Sequence, residues 1–124
     1  KAHDIQVQMD VSIPETLGVS AVDLSVIIGN TFDNAIEECQ RLETENRIIV
    51  VELKQKNDML VYVIDNPCLD QAVKKGGHIH GYGLSNVRNS ITKYDGTMST
   101  ERNDGHYQVI ARLNVSETKV TARA

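Results

Sequence analysis

Two asparagines lie four residues apart in a segment whose apolar residues repeat with helical spacing. Asn30 and Asn34 would therefore project from neighbouring turns on the same side of one helix. Both fall at one border of the apolar arc of that helix, where a polar side chain faces out of the core into a cleft beside a sheet. Taken alone, such a pair is also typical of solvated asparagines on a helix margin.

A second group of polar residues follows a predicted strand. Leu60, Tyr62 and Ile64 alternate along that strand with other residues. By this alternation Asn66, within Asp65-Asn66-Pro67, continues the face of Ile64. An amide or carboxylate at the end of a core strand is well placed to hydrogen-bond the polar edge of a flat ligand in an apolar pocket. An asparagine before proline is also a common turn former.

A third group, Gly81-Tyr82-Gly83-Leu84, lies where a loop is predicted to become a helix. Glycines let the backbone come close to a bound anion, and the first amides of a helix point at negative charge. Phosphate is the anion that this arrangement favours. Many junctions between a loop and a helix use glycine for purely structural reasons, so the group is not decisive by itself.

Hydrophobic periodicity predicts the elements that must position these groups. The first is a strand with one buried face at 5–11, followed by a helix that is capped by Ser20 or Asp23 and ends near residue 42. Two strands at 47–55 and 59–66, joined by a polar turn, come next, and a mobile loop follows at 67–82. The chain then forms a helix from 83 to about 94 and two strands at 97–100 and 106–115. This order predicts an α/β (α+β) fold, a two-layer sandwich with a mixed, mostly antiparallel sheet and helices on one face.

Length and composition limit the possible classes of protein. The 124 residues fit one domain, residues 1–124, with a core at about 5–115 and a polar tail at 116–124. The longest apolar runs have four or five residues, whereas about 20 are needed to span a bilayer. The net charge is −4 and the basic residues are scattered, which excludes a nucleic-acid footprint. We expect a cytoplasmic fragment that does not contact the membrane, with Cys39 and Cys68 as free thiols.

Taken together, the three groups resemble the motifs of the GHKL superfamily of ATP-binding proteins, which includes gyrase-like ATPases and histidine kinases. The segment from Asp23 to Glu37 resembles the N box, and Val63 to Pro67 resembles a variant first glycine box. Gly81 to Val87 resembles the second glycine box. The resemblance covers about residues 5–113 and is strongest to the peptide-quorum-sensing, accessory-gene-regulator-like branch of sensor histidine kinases. It implies a Bergerat ATP-binding fold with ATP and Mg²⁺ as cofactors.

The resemblance also implies roles for the two asparagines of the predicted helix. Asn34 matches the Mg²⁺ ligand of the family. Asn30 stands where hydrolysing members of the superfamily carry a glutamate that activates water, and an amide cannot act as that base. The site is therefore expected to hold ATP without hydrolysing it efficiently.

The remaining roles concern adenine and the phosphates. Asn66 resembles the residue that recognises the adenine amino group, although the lack of glycine in this box leaves Asp65 as the alternative; strand phase favours Asn66. Gly81-Tyr82-Gly83-Leu84 would shape a lid over the phosphates. Lys74 and Lys75 in that lid either bind phosphate or are solvated surface lysines.

The resemblance finally implies what the chain must act with. A kinase of this type transfers the γ-phosphoryl group to a histidine on a dimerisation domain, and then to a response regulator. His3 has no helical context, so the acceptor is expected outside this chain, in a membrane-bound sensor kinase of which this is a cytoplasmic domain. The alternative is a non-catalytic module, of the pseudokinase or anti-sigma type, that binds nucleotide or acts by protein contact alone.

Overall fold

A five-stranded sheet carries two helices on one face. The computed structural model describes residues 4–43, 47–69 and 77–115, with side chains outside 77–82. Its elements are β1 (Gln6–Ser12), α1 (Ala21–Gln40), β2 (Ile48–Lys56), β3 (Met59–Pro67), α2 (Gly77–Thr92), β4 (Thr97–Asn103) and β5 (His106–Asn114). The strand order is β1-β2-β3-β5-β4, with β1 and β2 parallel and the other neighbours antiparallel. The predicted mixed, mostly antiparallel two-layer sandwich is confirmed.

Helix α1 follows the predicted periodicity closely. Ser20 is its N-cap, and the Ser20 hydroxyl accepts a hydrogen bond of 3.1 Å from the backbone N–H of Asp23. The helix ends at Gln40, two residues before the predicted end. Its buried positions recur at every fourth residue, namely Asp23, Ile27, Thr31, Ala35 and Cys39. The other predicted core residues pack partly buried beside them, namely Leu24, Ile28, Phe32 and Ile36.

The two predicted hairpins are present, and their turns explain where the strands end. Asn57 and Asp104 have φ of 57° and 54°, a left-handed conformation that asparagine and aspartate tolerate better than most residues. β3 buries one face by strict alternation, and β4 extends to Asn103 rather than ending at Thr100. Neither helix in the described parts of the chain is long and apolar enough to cross a membrane.

The prediction that the first strand buries one face is wrong. All seven residues of β1 are exposed, including Val7, Met9 and Val11 at 42%, 66% and 48%. β1 pairs on one side with β2, and the helices contact β3, β4 and β5. The apolar side chains of β1 therefore lie on the helical face of the sheet but beyond the area that the helices cover.

The predicted boundary between the loop and the second helix is also wrong. α2 begins at Gly77, so residues 77–82 are helical in backbone rather than part of a loop. Glycine disfavours a helix by about 1 kcal/mol per residue, which is why this stretch was predicted as a loop. Farther along, Val87 and Ile91 bury the helix against the core, as the sequence predicts. A close approach between α1 and Gly83 supplies a tertiary reason for glycine within the helix, described below.

Candidate functional site

The side of α1 that borders its buried stripe carries both asparagines. Asn30 and Asn34 are partly buried, and each directly precedes a buried residue of the stripe. The Asn30 side-chain amide donates a hydrogen bond of 2.9 Å to the Val26 carbonyl oxygen one turn earlier. Because the amide nitrogen donates to the helix itself, Oδ1 is the atom of the Asn30 side chain that can accept a hydrogen bond or bind a cation.

Gly83 of α2 lies directly against Asn30. A methyl group placed on Gly83 would lie 3.2 Å from Asn30 Oδ1 and 3.7 Å from Asn30 Cβ. Such a contact is tight, so a larger residue at position 83 would push on the asparagine side chain. The structure thus brings the first and third sequence motifs together, with the glycine serving close helix packing.

The two candidates at the end of β3 point to opposite faces of the sheet. Asn66 faces the helices and is 1% exposed, with its amide donating to the Pro67 carbonyl oxygen at 2.9 Å. Asp65 faces away, where its Oδ1 lies 2.7 Å from Nδ1 of His106 and its Oδ2 accepts from Gln108 at 3.3 Å. Only Asn66 is therefore on the same side of the sheet as the asparagines of α1.

Next to Asn66 in the sheet, the paired residues of β5 and β4 connect the end of β3 to α1. Asn66 pairs with Tyr107, which pairs with Arg102 of β4. The Arg102 guanidinium lies 5.0 Å from the centre of the Tyr107 ring and donates 3.1 Å hydrogen bonds to Glu38 of α1 and to the Leu69 carbonyl oxygen. The Glu38 carboxylate raises the pKa of Arg102. Arg102 therefore fastens the end of β3 to the second half of α1.

A buried polar pair that the sequence did not reveal joins α1 to β3. The hydroxyl oxygens of Thr31 and Tyr62 are 2.6 Å apart, and the Thr31 oxygen also lies 2.7 Å from the Ile27 carbonyl oxygen. Burial raises the pKa of Tyr62 to about 12. A tyrosine at a core position of an alternating strand normally requires a hydrogen-bond partner, which is the signal that could have predicted this contact. The pair fixes the rotation of α1 relative to β3.

The first turn of α1 is tied to the end of α2. The Asp23 carboxylate accepts a hydrogen bond of 2.6 Å from the Tyr94 hydroxyl and pairs with Lys93 at 3.0 Å. Hydrogen bonds from Tyr94 and Lys93 lower the pKa of Asp23. The Ser20 backbone N–H donates to the same Tyr94 oxygen at 3.0 Å. These contacts hold the first turn of α1 to the residues directly after α2.

The residues predicted to contact phosphates are only partly placed. Lys74 and Lys75 lie outside the described residues. Gly81, Tyr82, Gly83 and Leu84 lie within α2, not at its first turn. This corrects the prediction that helix-terminal amides are available at this glycine motif, because amides inside an α-helix are bonded to carbonyls of the preceding turn.

The side-chain amide oxygens of this region suit a hard cation. Within the described residues, no three histidine, cysteine, aspartate or glutamate side chains gather as a metal-binding group. Amide and phosphate oxygens are ligands that Mg²⁺ accepts, and this ion commonly binds proteins through one or two side chains together with substrate phosphates. The side-chain oxygen of Asn30, one turn from Asn34, is compatible with that type of site.

Comparison with known proteins identifies the family. Residues 19–113 match the family described as the GHKL domain. This chain belongs to the GHKL domain family. The matched segment of the GHKL domain begins before α1 and ends within β5, so it includes every motif residue and leaves β1 outside.

Relatives of this GHKL domain include named sensor kinases. The probable C4-dicarboxylate sensor kinase of Bacillus subtilis (strain 168) is 28% identical over 95 residues, which cover 67% of this chain and 18% of that protein. Sensor histidine kinase DpiB of Escherichia coli (strain K12) is 27% identical over 101 residues, which cover 70% of this chain and 18% of that protein. The chain spans less than a fifth of the length of these relatives.

Solved structures show the same fold for this GHKL domain. The catalytic domain of histidine kinase ThkA superposes with a TM-score of 0.71 at 18% identity, covering 93% of this chain and 81% of that one. The histidine kinase domain of the blue-light activated kinase of Erythrobacter litoralis EL346 superposes with a TM-score of 0.74 at 11% identity, covering 94% and 54%.

Proposed function

We propose that this GHKL domain is the Mg·ATP-binding catalytic domain of a sensor histidine kinase. The observation that supports this most directly is the convergence of two motifs: Gly83 of α2 lies close to the side-chain oxygen of Asn30 on α1. Asn66 lies on the same side of the sheet, at the end of β3. Relatives named as sensor kinases add support from sequence.

In this proposal each residue has a distinct task. Asn34 supplies an oxygen to Mg²⁺, with Asn30 beside it. Asn66 accepts a hydrogen bond from the adenine amino group, while Asp65 stays with His106 on the other face. Lys74 and Lys75 contact the phosphates, and Gly81-Tyr82-Gly83-Leu84 bring α2 close to Asn30 at the border of the phosphate site. Bound Mg·ATP supplies the γ-phosphoryl group, and the metal neutralises charge on the phosphates.

The absence of a base at position 30 distinguishes a kinase from a hydrolase in this proposal. The Asn30 amide nitrogen donates to Val26 and its oxygen is not basic, so the side chain cannot take a proton from water. General-base assistance is typically worth about 10² to 10⁴ in rate. ATP bound by this domain is therefore kept for an acceptor other than water.

The acceptor and later partners belong to the longer protein that we infer. They are a histidine on its dimerisation domain and then a response regulator, in a membrane-bound kinase with this domain in the cytoplasm. The motif resemblance to the peptide-quorum-sensing branch remains part of this proposal. The strongest alternative is a non-catalytic module that uses the same residues, and it predicts binding without phosphoryl transfer.

A binding titration tests the nucleotide site in the chain as it stands. A fluorescent ATP analogue should bind more tightly with Mg²⁺, and Asn34→Ala should reduce that Mg²⁺-dependent gain about tenfold or more in a variant that circular dichroism shows to be folded. Asp33→Ala is the matched control, because Asp33 is the preceding residue of α1 and is exposed. Equal Mg·ATP affinity in wild type and Asn34→Ala would show that the proposed ligand is wrong.

Turnover separates the kinase from its alternatives. The isolated domain should release phosphate only at a trace rate and should not label itself with γ-phosphate. In the full-length parent protein, a phosphohistidine should form and be lost with Asn34→Ala. Binding without any phosphohistidine would favour the non-catalytic module, and rapid phosphate release would favour an ATPase.

A further inference from the structure

The open edge of the sheet at β1 is apolar, which is unusual for an exposed strand. Val7, Met9 and Val11 occupy alternate positions and are 42%, 66% and 48% exposed. Natural proteins commonly protect edge strands with charges or proline. The opposite edge, β4, follows that rule, with Glu101 and Arg102 along its length. Asp10 is the single charged residue of β1, and it is paired with Lys54 at 3.0 Å.

The phase of backbone hydrogen bonding shows which residues of β1 face the open edge. The Gln6 backbone N–H donates to the Arg47 carbonyl oxygen at 2.8 Å, and Gln6 pairs with Ile48 in parallel register. In a parallel pair, both backbone groups of one residue point to the same neighbour, and those of the next residue point away. The N–H and C=O groups of Val7, Met9 and Val11 therefore point to the open edge, where no strand of the described residues pairs with them.

Both the backbone phase and the side-chain pattern of β1 are symmetric about Met9. An antiparallel partner centred on Met9 places Val7 opposite Val11 and Met9 opposite its own copy, with all three residues in hydrogen-bonded positions. Val7 pairs with the buried Ile49, so the side chains of Val7, Met9 and Val11 lie on the face of the sheet that carries the helices. In the paired copies these side chains form one continuous apolar stripe on that face. A two-fold axis perpendicular to the sheet keeps the helices of both copies on that same side.

The charges of β1 are also compatible with such pairing. The residues between the apolar positions are Gln8 and Asp10, which an antiparallel partner brings opposite each other in the closely spaced, non-hydrogen-bonded position. A carboxamide can donate to the facing carboxylate, and no two like charges stand opposite each other. Lys54 beside Asp10 further reduces repulsion between the two acidic residues.

We propose that β1 is a self-association surface through which two copies of this chain join their sheets by antiparallel β1–β1 pairing. The surface lies outside the segment that matches the GHKL domain, so the proposal does not rest on nucleotide binding. A pairing of this length buries less than the roughly 800 Å² per partner of a stable interface. The association is therefore weak, with a dissociation constant on the order of 100 µM or above.

Sedimentation velocity tests the proposal. The chain is measured at concentrations from about 10 µM to about 1 mM, which bracket the dissociation constant expected for so small an interface. Wild type should shift toward dimer with concentration, and Met9→Lys should raise the dissociation constant about tenfold or more. Because Met9 and Gln8 are exposed, circular dichroism and melting temperature should not change in the variants.

Two substitutions at one position test the register. Gln8→Glu should weaken the dimer several-fold by facing Asp10 with a second carboxylate, whereas Gln8→Lys should strengthen it. A monomer at every concentration would overturn the proposal. A dimer that Met9→Lys leaves unchanged would also overturn it, and so would two Gln8 variants that shift the equilibrium in the same direction.

Discussion

Helix α1 has two neighbouring sides that use polar residues in opposite ways. On the buried side, every polar group has a partner, as in the contact between Thr31 and Tyr62. About 100° around the helix, Asn30 and Asn34 are only partly buried, and the Asn30 oxygen faces the neighbouring helix. The buried side is a framework side, whose hydrogen bonds lie within the fold, and the neighbouring side, called the ligand side below, carries the two asparagines that we propose to bind Mg·ATP.

This division gives the proposed nucleotide site a fixed support within the fold. Contacts of the framework side fix α1 to β3 through Thr31, and to the residues directly after α2 through Asp23. Rigid support of this kind is what a binding site requires of its surroundings. Substitutions on the framework side should therefore change folding stability, and those on the ligand side should change affinity.

The largest expected effect is on the framework side. Thr31→Val should lower the free energy of unfolding by about 1–3 kcal/mol, because it leaves the buried Tyr62 hydroxyl without this partner. The double variant Thr31→Val with Tyr62→Phe should recover most of that loss, since both polar groups are then replaced. Urea unfolding of the four proteins measures the coupling. Additive losses would mean that the two hydroxyls do not act as a pair.

The next largest effect is on nucleotide affinity, and it should differ between two adjacent residues on opposite faces of β3. Asn66→Leu should weaken ATP and ADP binding alike, by about tenfold or about 1.4 kcal/mol, because it removes the acceptor proposed for adenine. Asn66→Asp, which keeps an acceptor oxygen, should restore much of the affinity. Asp65→Ala should leave nucleotide affinity unchanged. Isothermal titration calorimetry of the folded variants measures their affinities for ATP and ADP. A loss of affinity confined to ATP would point to a phosphate contact instead.

A smaller effect should come from two glycines, one in each helix. Gly29→Ala should stabilise the domain by about 0.5–1 kcal/mol, because nothing lies near the added methyl group on the exposed side of α1. Gly83→Ala should gain less stability and should lower Mg·ATP affinity a few-fold, since its methyl group presses on Asn30. Equal stability and affinity changes in the two variants would show that Gly83 is not constrained by Asn30.

The smallest expected effect depends on pH. Asp23 has a pKa below its ordinary value of 3.8 in the folded protein, so its contribution to stability is complete above that value and is lost as pH falls through the lowered pKa. Asp23→Asn should therefore be less stable than wild type at pH 7, with the gap closing below about pH 4. Denaturant unfolding between neutral and acidic pH measures this. A gap that stays constant with pH would mean that the charge is not responsible.

Local periodicity was sufficient to predict most of the fold. The apolar residues of α1 and the alternation in β3 repeat within single elements, so the sequence shows them directly. The side of α1 that carries Asn30 and Asn34 could be predicted for the same reason. The phase of Asn66 relative to Ile64 followed from the strand alternation alone.

Features that depend on distant parts of the chain could not be predicted in this way. The exposure of β1 depends on where the helices lie over the sheet, which its own alternation does not encode. The glycine content around Gly83 indicates a loop, whereas the backbone there is helical. Glycine suits this helix because α1 lies directly against position 83, a contact that the local sequence does not show. Likewise, Thr31 and Tyr62 are separated by 31 residues, so nothing local identifies them as partners.

The contact between Thr31 and Tyr62 also gives the domain an optical signal. The chain has four tyrosines and no tryptophan, so an alkaline absorbance titration follows the formation of phenolate at these tyrosines. With a pKa of about 12, the Tyr62 phenol stays neutral through most of an alkaline titration. Its phenolate can form earlier only when solvent enters between α1 and β3. The absorbance difference between wild type and Tyr62→Phe therefore reports the opening of the two layers of the fold.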